Sequence, residues 1–211
     1  MKTFEELAAG TMFSVSKGVP TLHKYDTSLT LIGEGRSAVV FRINSTDLAL
    51  KVFLPGQERT AIEEASIYRL LAGNSYFPTL HGSGENYIVI DYIEGITIFN
   101  CLQYGLRISE EHIKVIDEAL EQARTCGLNP SDVHLKNILI TNSGDIKLID
   151  VARFLQTKNC SQWDDIKWAY HTFYRRNVFP KRIPALILNL ISLVYKRPTI
   201  QKWLTNSQKY A

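Results

Sequence analysis

Two short apolar runs near residue 140 gather three oxygen-bearing side chains at one end of a predicted strand pair. The runs are Leu135–Ile140 and Ile146–Asp150, and the polar tetrapeptide between them favours a turn. Asp132 and Asn137 stand five positions apart around the start of the first run, and Asp150 ends the second. Such residues often only cap a turn, but their oxygens also suit proton transfer and hard metal ions. The pattern therefore predicts either a capped turn or a small polar site.

A lysine lies in an otherwise apolar predicted strand, Leu48–Phe53. Burying Lys51 without an anionic partner would be costly, so it must reach solvent at a sheet edge or meet negative charge. Just before it, Leu31–Ile43 predicts a strand, a turn containing Gly33 and Gly35, and a second strand. A glycine hairpin alone is more often a plain turn than a nucleotide site. The lysine that follows is what makes this hairpin informative.

A helix is predicted over residues 57–72, because Pro55-Gly56 precedes it and Gly73-Asn74 follows it. Two adjacent glutamates, Glu63 and Glu64, lie on this helix. Glu64 shares one stripe at helical spacing with three large side chains, Ile67, Tyr68 and Leu71. We expect Glu64 to face inward and Glu63 to lie at the surface, the alternative being that both are solvated.

The order of these features resembles the protein-kinase superfamily. The glycine turn comes first, then Lys51, Glu64, a β-rich run over Tyr87–Gly95, and the three polar residues near residue 140. The resemblance covers residues 28 to 170 and is to compact, atypical bacterial-type Ser/Thr protein kinases, with some catalytic-loop similarity to aminoglycoside and choline kinases. It implies an α+β, bilobal fold with a β-rich N-lobe and a mostly helical, truncated C-lobe.

The resemblance implies how ATP would be bound. Gly33 and Gly35 would let the backbone lie close to the phosphates. Lys51 would hold the α- and β-phosphates, with Glu64 as its partner. These four residues would form the phosphate side of a nucleotide site.

The run Tyr87–Gly95 would be the hinge between the lobes. By the same resemblance, Ile90 would control access behind the adenine. Backbone groups of Asp91 and Ile93 would meet the adenine edge. Without the flanking motifs, this run would be only a buried strand followed by a turn.

The resemblance also assigns the residues around the transferred phosphate. Asn137 and Asp150 would bind Mg²⁺, and Asp132 would take the proton of the acceptor hydroxyl. His134, two residues after Asp132, would either touch the transferring phosphate or satisfy the loop backbone. The implied cofactors are ATP and Mg²⁺.

Several positions depart from the family pattern. Ala38 stands at the third glycine, Pro130-Ser131 replace the usual His-Arg, and Val151-Ala152 replace Phe-Gly. Without that arginine, phosphorylation of the segment after Asp150 is not expected to control activity. Asp165 resembles the residue that anchors the catalytic loop, and only fourteen residues separate it from Asp150. The substrate-docking segment of ordinary protein kinases would not fit there.

The predicted organisation is an N-terminal extension (residues 1–27), an N-lobe (28–92) and a C-lobe (93–211). Helices are predicted near residues 4–8, 57–72, 97–104 and 109–126, and strands near 29–33, 38–44, 47–53, 78–82 and 86–92. The longest apolar stretch, Ile183–Tyr195, contains Pro184 and Asn189 and is too short to cross a bilayer. We expect it to be a core helix of the second lobe.

Composition limits the compartment and the partners. The N-terminus lacks an apolar leader, and the three cysteines are far apart with no paired spacing, so we expect a cytoplasmic protein without a zinc site. The first 150 residues carry 13 basic and 19 acidic side chains, whereas the last 61 carry 11 and 2. Basic pairs at Arg175-Arg176, Lys181-Arg182 and Lys196-Arg197 are either simply solvated or bind an acidic partner. No nucleic-acid motif or membrane segment is visible.

Three functions remain open from the sequence. The first is a Ser/Thr protein kinase that uses ATP and Mg²⁺. The second is a small-molecule hydroxyl kinase, favoured by His134 and the short segment before Asp165. The third is a nucleotide-binding scaffold without catalysis, favoured by Ala38 and Val151-Ala152. The presence of all four key residues, Lys51, Asp132, Asn137 and Asp150, argues against it.

Overall fold

Residues 2–16 and 19–195 are described by the computed structural model. The chain begins with helix α1 (Phe4–Ala9), followed by an antiparallel hairpin of β1 (Met12–Ser16) and β2 (Val19–Lys24). Thr3 caps α1, because its hydroxyl accepts from the Glu6 N–H while the Glu6 carboxylate accepts from the Thr3 N–H. The sequence analysis predicts a helix near residues 4–8 but not the hairpin.

A five-stranded antiparallel sheet forms the centre of the N-terminal half. Its strands are β3 (Leu29–Glu34), β4 (Ala38–Ile43), β5 (Leu48–Phe53), β6 (Leu80–Ser83) and β7 (Tyr87–Asp91). Their spatial order is β3-β4-β5-β7-β6. The central strand β5 is therefore paired on both edges, which excludes the edge position that a solvated Lys51 would need.

Both faces of this sheet are covered. On one face, Leu7 and Ala8 of α1 pack in a single buried cluster with sheet residues that include Phe41, Leu50 and Val89. On the other lies helix α2 (Glu58–Leu70), which contacts β5, β6 and β7. As a result, five of the six residues of β5 are buried, Lys51 among them.

Helix α2 confirms the predicted orientation of the two glutamates. Glu64 is fully buried, whereas Glu63 is partly exposed and pairs with Arg59 at 2.7 Å. The helix is shorter than the predicted 57–72, because the backbone leaves helical geometry at Leu71 and turns left-handed at Gly73.

The remainder of the described chain is mostly helical. A three-stranded sheet in the order β10-β9-β8 combines β8 (Gly95–Thr97), β9 (Ile138–Thr141) and β10 (Ile146–Leu148). The helices are α3 (Ile98–Tyr104), α4 (Glu110–Thr125), α5 (Gln162–Ala169), a π-helical turn (Tyr170–Tyr174) and α6 (Ala185–Tyr195). The chain is thus α+β, with a β-rich first part and helices later, as predicted and as a compact bilobal kinase-like fold requires.

Helix α6 corrects one prediction. Leu188 is buried, but the exposed apolar side chains of this helix are Leu186, Ile187, Leu190, Ile191 and Leu193. The prediction of a core helix is therefore wrong: α6 lies on the surface of the described residues. Because its sequence is apolar nearly all round, hydropathy cannot indicate which face packs. Across residues 2–16 and 19–195, no helix is long and apolar enough to cross a membrane.

The basic pairs in the second part differ in their surroundings. Arg175 lies 3.6 Å from Glu110. Lys181 donates to the carbonyl oxygens of Tyr174 and Arg176 and lies over the Tyr174 ring. Lys196-Arg197 fall outside the described residues. An acidic partner for this segment stays a prediction.

Candidate active site

A buried ion pair joins the sheet to helix α2. Lys51 Nζ donates to Glu64 Oε1 at 2.8 Å and to Oε2 at 2.7 Å, and the Glu64 side chain is 0% exposed. Burial alone would lower the pKa of Lys51, but the carboxylates of Glu64 and Asp150 raise it above its ordinary value. Lys51 therefore stays charged. Of the two predicted alternatives for this lysine, solvent at a sheet edge or an anionic partner, the structure shows the second.

Asp150 is the second carboxylate on the same lysine. Its Oδ1 accepts from Lys51 Nζ at 2.9 Å, and 48% of its side chain remains exposed. Burial raises the pKa of this carboxyl, but Lys51 chiefly, with His134 and Arg153, brings it below the ordinary value. Asp150 is thus ionised, held in place and open on one side.

Asp132 and Asp150 share an uncommon backbone conformation. Their φ angles are +58° and +59°, in the left-handed region that aspartate tolerates better than most residues. Among the described non-glycine residues, only Ser45, in the turn after β4, has a similar angle. Such conformations cost about 1–3 kcal/mol each and cluster at functional sites. This independent observation points to the two carboxylates that the motif singled out.

Hydrogen bonds around Asn137 bring the polar residues together. Its Nδ2 donates to the Asp132 carbonyl at 3.4 Å, and its backbone N–H donates to the His134 carbonyl at 2.8 Å. Its own carbonyl accepts from the N–H of Ile149, the residue before Asp150, at 2.9 Å. Asn137 is thereby fixed between the two aspartates, with its amide oxygen as the atom that a metal ion could take.

The glycine turn connects β3 to β4 at the expected place. The Gly35 N–H donates to the Ala38 carbonyl at 2.8 Å, and a Cβ added at Gly35 would lie only 3.2 Å from that oxygen. A Cβ at Gly33 would meet nothing closer than Val40 at 3.9 Å. Of the two glycines in this turn, Gly35 is therefore the one where a side chain fits less well. The turn closes with Ala38 at the position of the third glycine in the family pattern.

The predicted hinge, Tyr87–Gly95, comprises β7 and the irregular link to β8. The Asp91 N–H already donates to the Thr79 carbonyl at 3.1 Å, and its carboxylate accepts from the Thr79 N–H and pairs with His81 Nε2 at 2.6 Å. Because the N–H of Asp91 is occupied, the backbone group that it could offer to the adenine edge is its carbonyl. Ile90 is buried, and Ile93 lies in the irregular link between β7 and β8. The contact of Asp91 with His81 and Thr79 had no signal in the sequence.

Sequence comparison decides the family. The chain is 43% identical to a protein named "Putative serine/threonine-protein kinase YrzF" from Bacillus subtilis (strain 168), over 210 residues that span 98% of both chains. The chain belongs to this kinase-like family. No family model matches it. The family, the α+β architecture and the buried lysine–glutamate pair together indicate a kinase-like phosphotransferase.

Neutral hydrogen bonds hold the segment after Asp150 in this kinase-like chain. Asn129 Nδ2 donates to the carbonyls of Gln156 at 2.9 Å and Lys158 at 3.1 Å, and its N–H donates to the Phe154 carbonyl at 2.8 Å. The Ser131 hydroxyl donates to the Asn129 carbonyl and accepts from Gln156 Nε2. We call Asn129, Ser131 and Gln156 the amide clasp. Sequence reasoning missed Asn129 and Gln156, because an asparagine before a proline signals only a turn.

The amide clasp predicts activity without phosphorylation of this segment. Ser131 stands where kinases carry the arginine that binds a loop phosphate, and here it binds Gln156 instead. Phosphatase-treated protein should retain its transfer rate within a few-fold, and so should Thr157→Ala, because Thr157 is exposed. Radiolabelled phosphate transfer measures both. A loss of about a hundredfold after phosphatase treatment would mean that a charged switch, as in ordinary kinases, is required.

Asp165 is buried at the start of α5. It accepts from the Ser161 hydroxyl at 3.0 Å, and its N–H donates to the Ser161 carbonyl at 2.9 Å. These contacts fix the end of the segment that follows Asp150. Anchoring of the catalytic loop by Asp165 stays a prediction.

Proposed function

We propose that the chain is an ATP- and Mg²⁺-dependent Ser/Thr protein kinase. The observation that carries this proposal is a single buried lysine shared by Glu64 and the half-exposed Asp150. Together these three side chains carry a net charge of −1, and the Asp150 carboxylate is partly open to solvent. A divalent cation at Asp150 would relieve that charge, and phosphate oxygens would give Lys51 a further partner.

The residues present fit a magnesium ion. Mg²⁺ prefers oxygen ligands and is commonly held by one or two protein groups together with substrate phosphates. Asp150 and Asn137 offer such oxygens, and the described residues contain no group of three or more His, Cys, Asp or Glu side chains suited to an all-protein metal centre. When bound, the ion would neutralise the phosphate oxygens.

The chain's own groups then account for transfer. Lys51 orients the α- and β-phosphates, while Glu64 keeps its ammonium in place. The acceptor oxygen bonds to the γ-phosphorus as the bond to the bridging β–γ oxygen breaks, ADP departs, and the hydroxyl proton passes to the Asp132 carboxylate. Gly33 and Gly35 allow the backbone to cover the phosphates. The carbonyl of Asp91 and the backbone of Ile93 meet the adenine.

A small-molecule hydroxyl kinase is the second candidate. The observations that favour it are His134, two residues after Asp132, and the short segment between Asp150 and Asp165. A screen that compares ATP consumption with hydroxylated metabolites and with protein substrates separates the two functions. Turnover with metabolites alone would overturn the protein-kinase proposal.

We expect ATP with Mg²⁺ to stabilise the protein against heat. A ligand at a hundred times its Kd adds about 2.7 kcal/mol, which corresponds to a rise in Tm of about 5–10 °C for a chain of this size. Differential scanning fluorimetry and calorimetry measure the effect. Lys51→Met/Glu64→Gln should lose the shift without leaving a buried charge unpaired, whereas Lys114→Met, on the exposed side of α4, should keep it. Absence of any shift or binding in the wild type would contradict the proposal.

A further inference from the structure

A cavity opens directly beside the candidate base. It has a volume of about 360 Å³. It lies between the loop before β9, residues 129–137, which we call the catalytic loop, and residues 153–162, which lead into α5. Its lining includes Asp132, Arg153, Gln156, Asn159, Ser161 and Gln162. An acceptor whose hydroxyl reaches Asp132 would therefore rest against residues 153–162.

The chemistry of this lining selects among acceptors. No residue of the lining is aromatic, and Asp132 is its only carboxylate. Quaternary ammonium groups are bound by aromatic rings, and cationic compounds need acidic partners. The cavity has no aromatic ring, and its one carboxylate is the group assigned to the acceptor hydroxyl, so choline-like and aminoglycoside-like acceptors find no further complementary group here.

The wall of the cavity opposite Asp132 carries positive charge. Residues 151–162 contain Arg153 and Lys158, both exposed, and no acidic residue. Two carboxylates lie near Arg153, because Asp132 lines the same cavity and Arg153 contributes to the lowered pKa of Asp150. Under the proposed function both are engaged, Asp132 with the acceptor hydroxyl and Asp150 with Lys51 and Mg²⁺. The next two acidic side chains are paired elsewhere, because Asp164 lies 3.9 Å from Lys167 and Asp165 is buried against Ser161. Arg153 is therefore a cation on the cavity wall, within range of the site where the acceptor hydroxyl must lie.

The wall that carries Arg153 is preformed. The amide clasp links Asn129 and Ser131 of the catalytic loop to residues 154–158 through the hydrogen bonds described above. A recognition surface that is already ordered loses less conformational entropy when it binds a ligand. An extended peptide can therefore meet the cation without first ordering a loop.

We propose that the acceptor is a serine or threonine in an acidic peptide segment, and that Arg153 is the residue that selects it. This inference rests on the proposed kinase function and deepens it. The hydroxyl lies at Asp132, and a neighbouring aspartate or glutamate of the substrate pairs with the Arg153 guanidinium. The positive charge of the cavity wall attracts the substrate, and Arg153 fixes its register.

The test uses three peptides that share one Ser/Thr acceptor and differ only in their flanking residues, which are acidic, neutral or basic. Wild-type protein should show the highest kcat/KM for the acidic peptide, by about two- to fivefold for each acidic neighbour at an exposed site. The preference should weaken as salt rises. Arg153→Glu should reverse the order of the acidic and basic peptides.

A matched control is Arg124→Glu, which makes the same charge change at an exposed position on α4, where Arg124 pairs with Glu121. This variant should keep the acidic preference. Equal use of the three peptides by the wild type, or an unchanged order in Arg153→Glu, would overturn the inference while leaving ATP binding and transfer intact. Mg²⁺–ATP binding without transfer to any peptide would overturn the inference and the protein-kinase function together.

Discussion

Asp132→Asn should lower turnover by about 10²–10⁴ while leaving ATP affinity nearly unchanged, the loss expected when a general base is removed. Asp132 lines the acceptor cavity, whereas Lys51 pairs with Glu64 and Asp150. Asparagine also tolerates the left-handed backbone at this position, where φ is +58°. The substitution therefore removes the proton acceptor with little strain on the loop.

The measurement is phosphate transfer and ATP affinity on the same protein preparation. Asp47→Asn is the matched control, because the Asp47 side chain is almost fully exposed and lies 3.7 Å from Arg42 Nη2. It should behave as the wild type. If Asp132→Asn abolished nucleotide binding, or transferred phosphate at the normal rate, the assignment of Asp132 as the base would be wrong.

Asp150→Asn should weaken both Mg²⁺–ATP binding and transfer. It removes the charge that is proposed to face the metal and one of the two carboxylates on Lys51. The interaction lost on binding would be that of the Asp150 carboxylate with Mg²⁺; truncating one partner of such a charge pair costs about 2–5 kcal/mol, a loss of about thirtyfold or more in kcat/KM. Asparagine again accepts the backbone, here with φ at +59°.

Titration calorimetry with and without Mg²⁺ distinguishes the two aspartates. ATP affinity should fall strongly in Asp150→Asn when Mg²⁺ is present and much less in its absence, whereas Asp132→Asn should show little change in either condition. Wild-type Mg²⁺–ATP affinity in Asp150→Asn would contradict its role as a metal ligand.

The sequence by itself determined several strands and helices, and it showed which kind of partner a buried site residue would need. Apolar strands and helical spacing predicted β3 to β5 and the inward face of α2, because burial patterns follow from periods of two and 3.6 residues. Lys51 in an apolar strand required an anionic partner, and Glu64 on the apolar stripe of α2 was a suitable one. These inferences needed only neighbours along the chain.

Tertiary structure alone decided which groups meet. Lys51 is 13 residues from Glu64 but 99 from Asp150, and the second contact depends on how the two halves of the chain pack. The left-handed backbone at Asp132 and Asp150, the amide clasp and the cavity beside Arg153 likewise arise from packing. Helix α6 is a case where the sequence misleads. Its apolar sequence predicts burial, but most of its apolar side chains are exposed, because the surface that buries a helix must come from other parts of the fold.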